Sequence, residues 1–340
     1  MTEVRVGAGS PPPVLVTVQR GQITEAAHRG DVAVVRSGGE LAAQVGEADR
    51  LVSLRSSVKP FTAVAVLVAA AAAGIDLDDE MVVLASASHA GADEHLAVAR
   101  RMVDAFGLDP AHLVHGRPQN GRGGSGELLA HMCSGQHLSL LLLAKARGYE
   151  PVGYGAFDHP VQRELRAVVG ELLSLDLDAA PWGVDGCGIP TSAVPLRAAA
   201  EGARRWANPD DAHVPDRLRA PLARVRAAAV AHPRLISGAG FLDTDLIRGG
   251  GGGVVAKQGA EGLCLVGLPG YGIAVRTEDG DAAARSGRVA TVAVLTALGA
   301  AVAASTSLDG HRVVQLSGPR SGETLASVHP GEALASLTVR

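Results

Sequence analysis

Aromatic residues and cysteines are scarce in this chain of 340 residues. Aromatic residues make up 3% of it, and three cysteines lie too far apart in sequence to predict a disulfide framework. No basic run is present and the formal net charge is −4, so nucleic-acid binding is not expected. We find no signal peptide and no apolar run of membrane-spanning length. These absences predict a cytoplasmic protein without nucleic-acid or membrane partners.

Small and apolar residues are abundant instead. Hydrophobic residues make up 47% of the chain and charged residues 19%, which is typical of a globular protein. The chain contains 43 glycines, and with so few aromatic residues we expect a core of elements packed closely on small side chains. Its length accommodates one large domain or two.

The predicted elements change in character along the chain. Residues 1–13, which end in Pro11-Pro12-Pro13, predict a disordered lead-in, and 14–340 predict one catalytic unit. Strand patterns dominate 14–55 and 236–340, whereas helical patterns dominate 56–235. This order predicts an α+β fold, in which N- and C-terminal segments share an antiparallel sheet and the middle forms a helical lobe.

Individual elements follow from the apolar periodicity. Strands are predicted over 14–18, 23–28, 32–36, 40–45, 81–85, 254–257, 263–266, 273–276 and 312–316. Helices are predicted over 61–73, 93–106, 127–147, 160–175, 192–207, 217–231 and 289–304. The five glycines of 249–253 match neither phosphate-binding fingerprint, so we interpret them as a flexible hairpin loop.

The stretch Arg55-Ser56-Ser57-Val58-Lys59-Pro60 opens the predicted helix 61–73. Pro60 fits only the first turn of a helix, which predicts Ser56 at or beside the N-cap. Lys59 would then share a helix face with Ser56. A serine hydroxyl needs a neighbouring base to become a nucleophile, and an amine that has lost its proton can be that base. An N-cap serine beside a solvated lysine is the commoner interpretation of this pattern alone.

Two further motifs follow in an informative order. Cys133-Ser134-Gly135 and then Lys257-Gln258-Gly259 come after the Ser-x-x-Lys motif, an order similar to that of serine penicillin-recognising enzymes. Gly259 would let a substrate approach the strand edge without meeting a side chain. Ser88, in Ser88-His89-Ala90-Gly91, is either a second reactive hydroxyl or a turn serine.

A metal site is a separate possibility. Cys133 and His137 are spaced to share a helix face, and Cys187 lies in the tight loop Asp185-Gly186-Cys187-Gly188. Cysteine and histidine are suitable zinc ligands. Buried single cysteines are also common core residues, so both interpretations stay open.

Together these motifs resemble those of the rhizobial-type, thermolabile L-asparaginase family. The matching stretches are Glu25-Ala26-Ala27-His28-Arg29-Gly30, Arg55-Ser56-Ser57-Val58-Lys59-Pro60, Asp158-His159-Pro160-Val161-Gln162, Asp185-Gly186-Cys187-Gly188-Ile189-Pro190-Thr191, Ala256-Lys257-Gln258-Gly259-Ala260-Glu261-Gly262 and Asp279-Gly280. They keep the family's order over nearly the whole chain. The resemblance implies a fold similar to serine β-lactamases and penicillin-binding proteins, hydrolysis of L-asparagine to L-aspartate and ammonia, and a homodimer.

The resemblance also implies roles for individual residues. It assigns two catalytic pairs, Ser56–Lys59 and Ser88–Lys257, and Ser56 is the expected nucleophile because of its predicted helix-terminal position. Lys257 would polarise Ser88, which would then relay protons or stabilise the oxyanion. The residues assigned to substrate binding are Arg55 for the α-carboxylate, Asp185 for the α-ammonium, and His137 and Gly259.

The chain departs from the family at several positions. The family's zinc is held by cysteines matching Cys133 and Cys187 and by a lysine, but Gln136 stands at the lysine position. A glutamine oxygen is a poor zinc donor beside thiolates, so we expect zinc binding to be weakened and no other cofactor. Thr62 stands where the family carries Gln, and the stretch His115-Gly116-Arg117-Pro118 is also atypical.

Two other functions fit the sequence. One is a β-lactamase-like amidase or esterase acting on another small amide. The other is a non-catalytic ligand-binding protein on a degenerate asparaginase scaffold, which Gln136 makes credible. The presence of the serines and lysines of both implied pairs, Ser56, Lys59, Ser88 and Lys257, argues against the non-catalytic alternative.

Overall fold

The computed structural model describes residues 10–116, 127–320 and 322–338. Its strands are β1 (Val14–Arg20), β2 (Ile23–Arg36), β3 (Glu40–Val45), β4 (Leu51–Ser53), β5 (Trp182–Val184), β6 (Pro190–Pro195), β7 (Val255–Gln258), β8 (Leu263–Leu268), β9 (Tyr271–Thr277), β10 (Val314–Ser317) and β11 (Thr324–Pro330). Its helices are α1 (Lys59–Ala72), α2 (Asp79–Ala85), α3 (Asp93–Phe106), α4 (Ser134–Arg147), α5 (Pro160–Leu173), α6 (Leu196–Ala207), α7 (Asp216–Ala231), α8 (Leu242–Gly249), α9 (Ser286–Ala297), α10 (Asp309–Arg312) and α11 (Glu332–Ala335).

The chain divides into two compact units. Unit 1 comprises Met1–Ser57, Ala193–Ala207 and Asp245–Arg340, and unit 2 comprises Val58–Ser192 and Asn208–Thr244. This division differs from the predicted lobes chiefly at 193–207, which the sequence assigned to the helical lobe. Residues 1–9 of the predicted lead-in lie outside the described residues. Residues 10–13 are attached to unit 1, since the Pro13 carbonyl accepts a hydrogen bond from Gly30 N at 3.0 Å.

Unit 1 is built on an antiparallel sheet with the strand order β10-β11-β1-β2-β9-β8-β7, and β3 pairs with β2. β2 is a single strand of 14 residues that covers two predicted strands. Its first half pairs with β1, and its second half pairs with β9 and β3. Strands from both ends of the chain therefore share one sheet, which confirms the predicted α+β class.

Glycines bring α6 close to this sheet. A Cβ built at Gly272 in β9 would overlap the carbonyl oxygen of Ala200, and one at Gly267 in β8 would overlap that of Ala203. Ala199, Ala200 and Ala203 on the helix are fully buried. The helix and sheet backbones thus pack at a distance that only small side chains permit.

Unit 2 is helical, and α1 lies within it. Residues from Lys59 to Leu67 are buried on every face of α1, which contacts α4, α5 and α7, while α2 contacts α3, α4 and α7. Pro60 lies in the first turn of α1, as predicted. The stretch Arg55–Ala72 has the length and a mean hydropathy, 1.2, that could cross a membrane, but 67% of it is buried, as in a core helix.

Several predicted elements are wrong. Residues 81–85 belong to helix α2 rather than to a strand, because Asp78 caps the helix by accepting a hydrogen bond from Met81 N at 2.8 Å. A short buried apolar run has no periodicity that separates helix from strand. The predicted helix 192–207 starts at Leu196, after strand β6. The glycines of 249–253 connect α8 to β7 and form no hairpin, and β11 was not predicted.

The close packing of α6 on β9 predicts a large effect of one methyl group. Gly272→Ala should lower the free energy of unfolding by about 2 kcal/mol or more, because the new Cβ forces the helix away from the sheet. Urea denaturation measures the change. Gly310→Ala is the control, since nothing lies within 4 Å of its Cβ position. Equal stability of the two variants would contradict this packing.

Candidate active site

A buried lysine lies at the centre of the candidate site. Lys59 is the first residue of α1, and its side chain is 1% exposed. Its Nζ donates hydrogen bonds to the carbonyl of Ala87 at 2.8 Å, to Ser88 Oγ at 3.1 Å and to Cys133 Sγ at 3.2 Å. An ammonium has three N–H donors, so these three acceptors satisfy it within unit 2.

The segment after α2 holds Ser88 in place. The helix ends at Ala85, and the backbone N–H of Ser88 donates to Ile236 O at 2.9 Å. The next residue, His89, donates its N–H to Met132 O at 3.1 Å, and its Nε2 bonds to Ser134 Oγ at 2.9 Å. The half-buried hydroxyl of Ser88 is therefore fixed beside Lys59.

Cys133 reaches Lys59 because α4 begins close to the end of α2. A Cβ at Gly135 would overlap the carbonyl oxygen of Leu84, so only glycine fits there. The pKa of the Cys133 thiol is well below its usual range. The main cause is a hydrogen bond with the Cys187 thiol, and the positive charge of Lys59 lowers the pKa further. The same thiol–thiol hydrogen bond and burial raise the pKa of Cys187.

Ser56 lies outside the helix, so its predicted N-cap role is wrong. Arg55–Val58 form a 3-10 turn, and the N-cap of α1 is Val58. In this turn Arg55 has a φ of 45°, a left-handed conformation that is costly for a residue with a side chain. The Ser56 hydroxyl is half-buried.

The remaining predicted residues of unit 1 lie beside this turn. A Cβ at Gly259 would be 3.1 Å from Leu54 O, so the glycine makes room for the turn's own backbone. Lys257 is 1% exposed, and its Nζ donates to Gln258 O at 2.9 Å. Arg55 Nη1 lies 3.5 Å from Glu261 Oε1. Unit 1 therefore holds Arg55, Ser56, Lys257 and Gly259, whereas unit 2 holds Lys59 and Ser88.

Asp185 and His137, both predicted to bind substrate, lie in unit 2. The N–H of Asp185 donates to Ile189 O at 2.8 Å and its carbonyl accepts from Gly188 N, which closes the tight loop around Cys187. His137 is fully buried on α4, and its Nδ1 lies 2.5 Å from the hydroxyl of Tyr154. Burial lowers the pKa of His137 to about 3, so the ring is neutral.

Three ring side chains near His137, those of His115, His131 and Tyr154, were not predicted from the sequence as site residues. His115 packs edge-on against His137 with ring centroids 4.8 Å apart, and stacks on His131 at 4.3 Å. We call His115, His131, His137 and Tyr154 the histidine cluster. The only sequence signal was the atypical stretch that begins at His115; Arg117 and Pro118 of that stretch lie outside the described residues.

The residues present do not fit a zinc ion. Gln136 Nε2 lies 3.5 Å from Thr62 Oγ1, and Cys133 Sγ already accepts a hydrogen bond from Lys59 Nζ at 3.2 Å. Within the described ranges, no group of three His, Cys, Asp or Glu side chains is arranged to hold a metal ion. Two thiols without a third ligand fall short of a zinc site.

Other matching motifs have structural contacts. His159 caps α5 by accepting a hydrogen bond from Val161 N at 3.2 Å, and Gln162 donates to Tyr154 O at 2.9 Å. In unit 1, His28 Nδ1 lies 2.6 Å from Asp279. These motif residues therefore make structural contacts of their own, apart from the buried lysine.

The sequence model of the family described as L-asparaginase II matches residues 16–328. The chain therefore belongs to the L-asparaginase II family, in agreement with the resemblance of its motifs. A solved structure described as "Crystal Structure Analysis of Mglu in its tris and glutamate form" is 19% identical, with a TM-score of 0.33, over 84% of this chain and 63% of that one. The chain thus spans less than two thirds of that structure's length. No curated protein matches it.

The incomplete ligand set makes a prediction about zinc content. After expression with zinc and dialysis, the protein should hold well under one zinc per chain by mass spectrometry of the metal. Gln136→Cys should raise the content towards one, because it creates a Cys-x-x-Cys pair near Cys187. Gln136→Ser is the control without a thiol. Stoichiometric zinc in the unaltered chain would contradict the incomplete ligand set.

Proposed function

We propose that this chain hydrolyses L-asparagine to L-aspartate and ammonia, with Ser88 as nucleophile and Lys59 as its base. The observation that carries this proposal is the 3.1 Å hydrogen bond between Lys59 Nζ and Ser88 Oγ. A serine hydroxyl paired with an amine at that distance has the geometry of an activated nucleophile. Membership of the L-asparaginase II family supports the substrate.

The reaction then follows in two halves. The Lys59 ammonium first passes a proton to the Cys133 thiolate, whose Sγ lies 3.2 Å from Nζ. Nζ, now a free amine, takes the Ser88 proton while Oγ bonds to the side-chain amide carbon. Nζ returns this proton to the departing nitrogen, so the carbon–nitrogen bond breaks and ammonia leaves an aspartyl ester on Ser88. Water then attacks the ester carbon and gives a proton to Nζ. Cleavage of the ester releases aspartate, and the proton returns to Oγ.

The other implied roles remain part of the proposal. The family resemblance assigns the α-carboxylate to Arg55, the α-ammonium to Asp185 and a substrate-binding role to Gly259. In the competing assignment, which the same resemblance implies, Ser56 attacks with Lys59 as its base, and Lys257 polarises Ser88. We further propose a cytoplasmic location from the composition, a fold like that of serine β-lactamases from the motif order, and a homodimer from the family resemblance.

Single substitutions test the assignment of the nucleophile. Ser88→Ala and Lys59→Met should each lower kcat for ammonia release from L-asparagine by about 10³-fold or more, because each removes one partner of the pair. Ser86→Ala should keep most of the activity, since in the described part of the chain this buried hydroxyl donates only to Val82 O, at 3.3 Å. Circular dichroism checks that each variant is folded.

The outcomes separate the competing functions. Full activity in Ser88→Ala together with loss in Ser56→Ala would overturn the assignment of Ser88. Turnover of an ester or a β-lactam without turnover of asparagine would indicate an amidase or esterase of different specificity. Binding of asparagine without turnover would indicate a ligand-binding protein.

A further inference from the structure

The hydrogen bonds of the histidine cluster fix the tautomer of His137. The Tyr154 hydroxyl oxygen accepts a hydrogen bond from Val114 N at 3.3 Å and lies 2.5 Å from His137 Nδ1. Among the described residues, His137 Nδ1 is the acceptor within reach of the buried phenol proton, so this proton is donated to Nδ1. Burial also raises the pKa of Tyr154, which keeps this proton on the hydroxyl. His137 therefore carries its own proton on Nε2, and that atom is a donor.

His115 has the opposite tautomer. Its Nδ1 lies 2.7 Å from the carbonyl oxygen of Gly116, which can only accept, so Nδ1 carries the proton. Its Nε2 is then an acceptor. The ring is held by stacking on His131, whose Nδ1 accepts a hydrogen bond from Cys133 N at 3.1 Å. The orientation of His115 is thus tied to the start of α4.

Both Nε2 atoms are buried and have no hydrogen-bond partner within the described residues. The His115 and His137 rings pack edge to face with centroids 4.8 Å apart, so the two unpaired atoms belong to adjacent side chains. A buried donor and a buried acceptor left unpaired each cost free energy, which a complementary ligand would recover. The donor His137 Nε2–H therefore needs an acceptor, and the acceptor His115 Nε2 needs a donor.

We propose that His137 and His115 together bind a primary carboxamide, with His137 Nε2–H donating to the carbonyl oxygen and His115 Nε2 accepting from the amide N–H. Tyr154 is a positioning residue, because it keeps the proton on His137 Nε2. A carboxylate offers no N–H to His115, and an ammonium offers no acceptor to His137. Among the polar groups of L-asparagine, the proposed substrate, the primary carboxamide is the one that supplies both.

The charges around the pair agree with an uncharged ligand. Burial lowers the pKa of His115 to about 4 and that of His137 to about 3, so both rings are neutral. The positive charge of Lys59 also contributes to lowering the pKa of both rings. This inference rests on the proposed function and assigns the residues that recognise the amide. It also implies that the product carboxylate binds less well than the substrate amide.

Binding in a Ser88→Ala background tests the pair without turnover. Calorimetry should give an affinity for L-asparagine about tenfold higher than for L-aspartate. Adding His115→Phe, which keeps a stacking ring, or Tyr154→Phe, which removes one hydroxyl, should reduce this preference to about one. His95→Phe is the matched control, since His95 is also buried, stacked on another histidine and unpartnered at Nδ1. That control should keep the preference.

Nitrogen-15 spectra of the imidazoles provide a second readout. The unaltered chain should show the Nε2–H tautomer for His137 and the Nδ1–H tautomer for His115. Tyr154→Phe should shift His137 towards a mixture of tautomers. Equal affinity for the two ligands, no binding of asparagine, or an Nδ1–H tautomer at His137 would overturn the inference. These results are distinct from failure of the proposed function, which would leave tautomers and amide preference intact while ammonia release was absent.

Discussion

The buried ammonium of Lys59 is the constraint on which the site depends. Burial of an unpaired charge is costly, so the fold must bring three acceptors to one point within unit 2. Two of them, Ala87 O and Ser88 Oγ, follow the end of α2, and the third, Cys133 Sγ, precedes α4. Gly135 allows these two helix ends to approach. The position of the proposed nucleophile is therefore a consequence of satisfying one charge.

Two departures from the family pattern are explained by a single contact. Gln136 stands in place of the family's lysine ligand and Thr62 in place of its glutamine, and the two side chains meet at 3.5 Å. The Gln136 amide is thereby engaged with Thr62, and the cationic neighbour of Cys133 is Lys59, whose Nζ lies 3.2 Å from Sγ.

Local sequence signals predicted much of the structure. Helix α3 has the predicted bounds, Asp93–Phe106, because its amphipathic pattern is complete, and Pro60 marked the first turn of α1. The pairing of Lys59 with Ser88 was not predicted. The spacing of Ser56 and Lys59 predicts only which residues share a helix face, whereas Ser88 lies 29 residues further along the chain. The role of Tyr154 was also not predicted. Its partner His137 lies 17 residues away, and such contacts depend on how helices pack.

The most direct test of the account is to locate the covalent intermediate. The protein would be incubated with L-asparagine, quenched in acid within milliseconds and digested for peptide mass spectrometry. The account predicts an added aspartyl group on the peptide that contains Ser88, absent from the Lys59→Met variant. An aspartyl group on the peptide that contains Ser56 would contradict it and would assign the attack to the other serine.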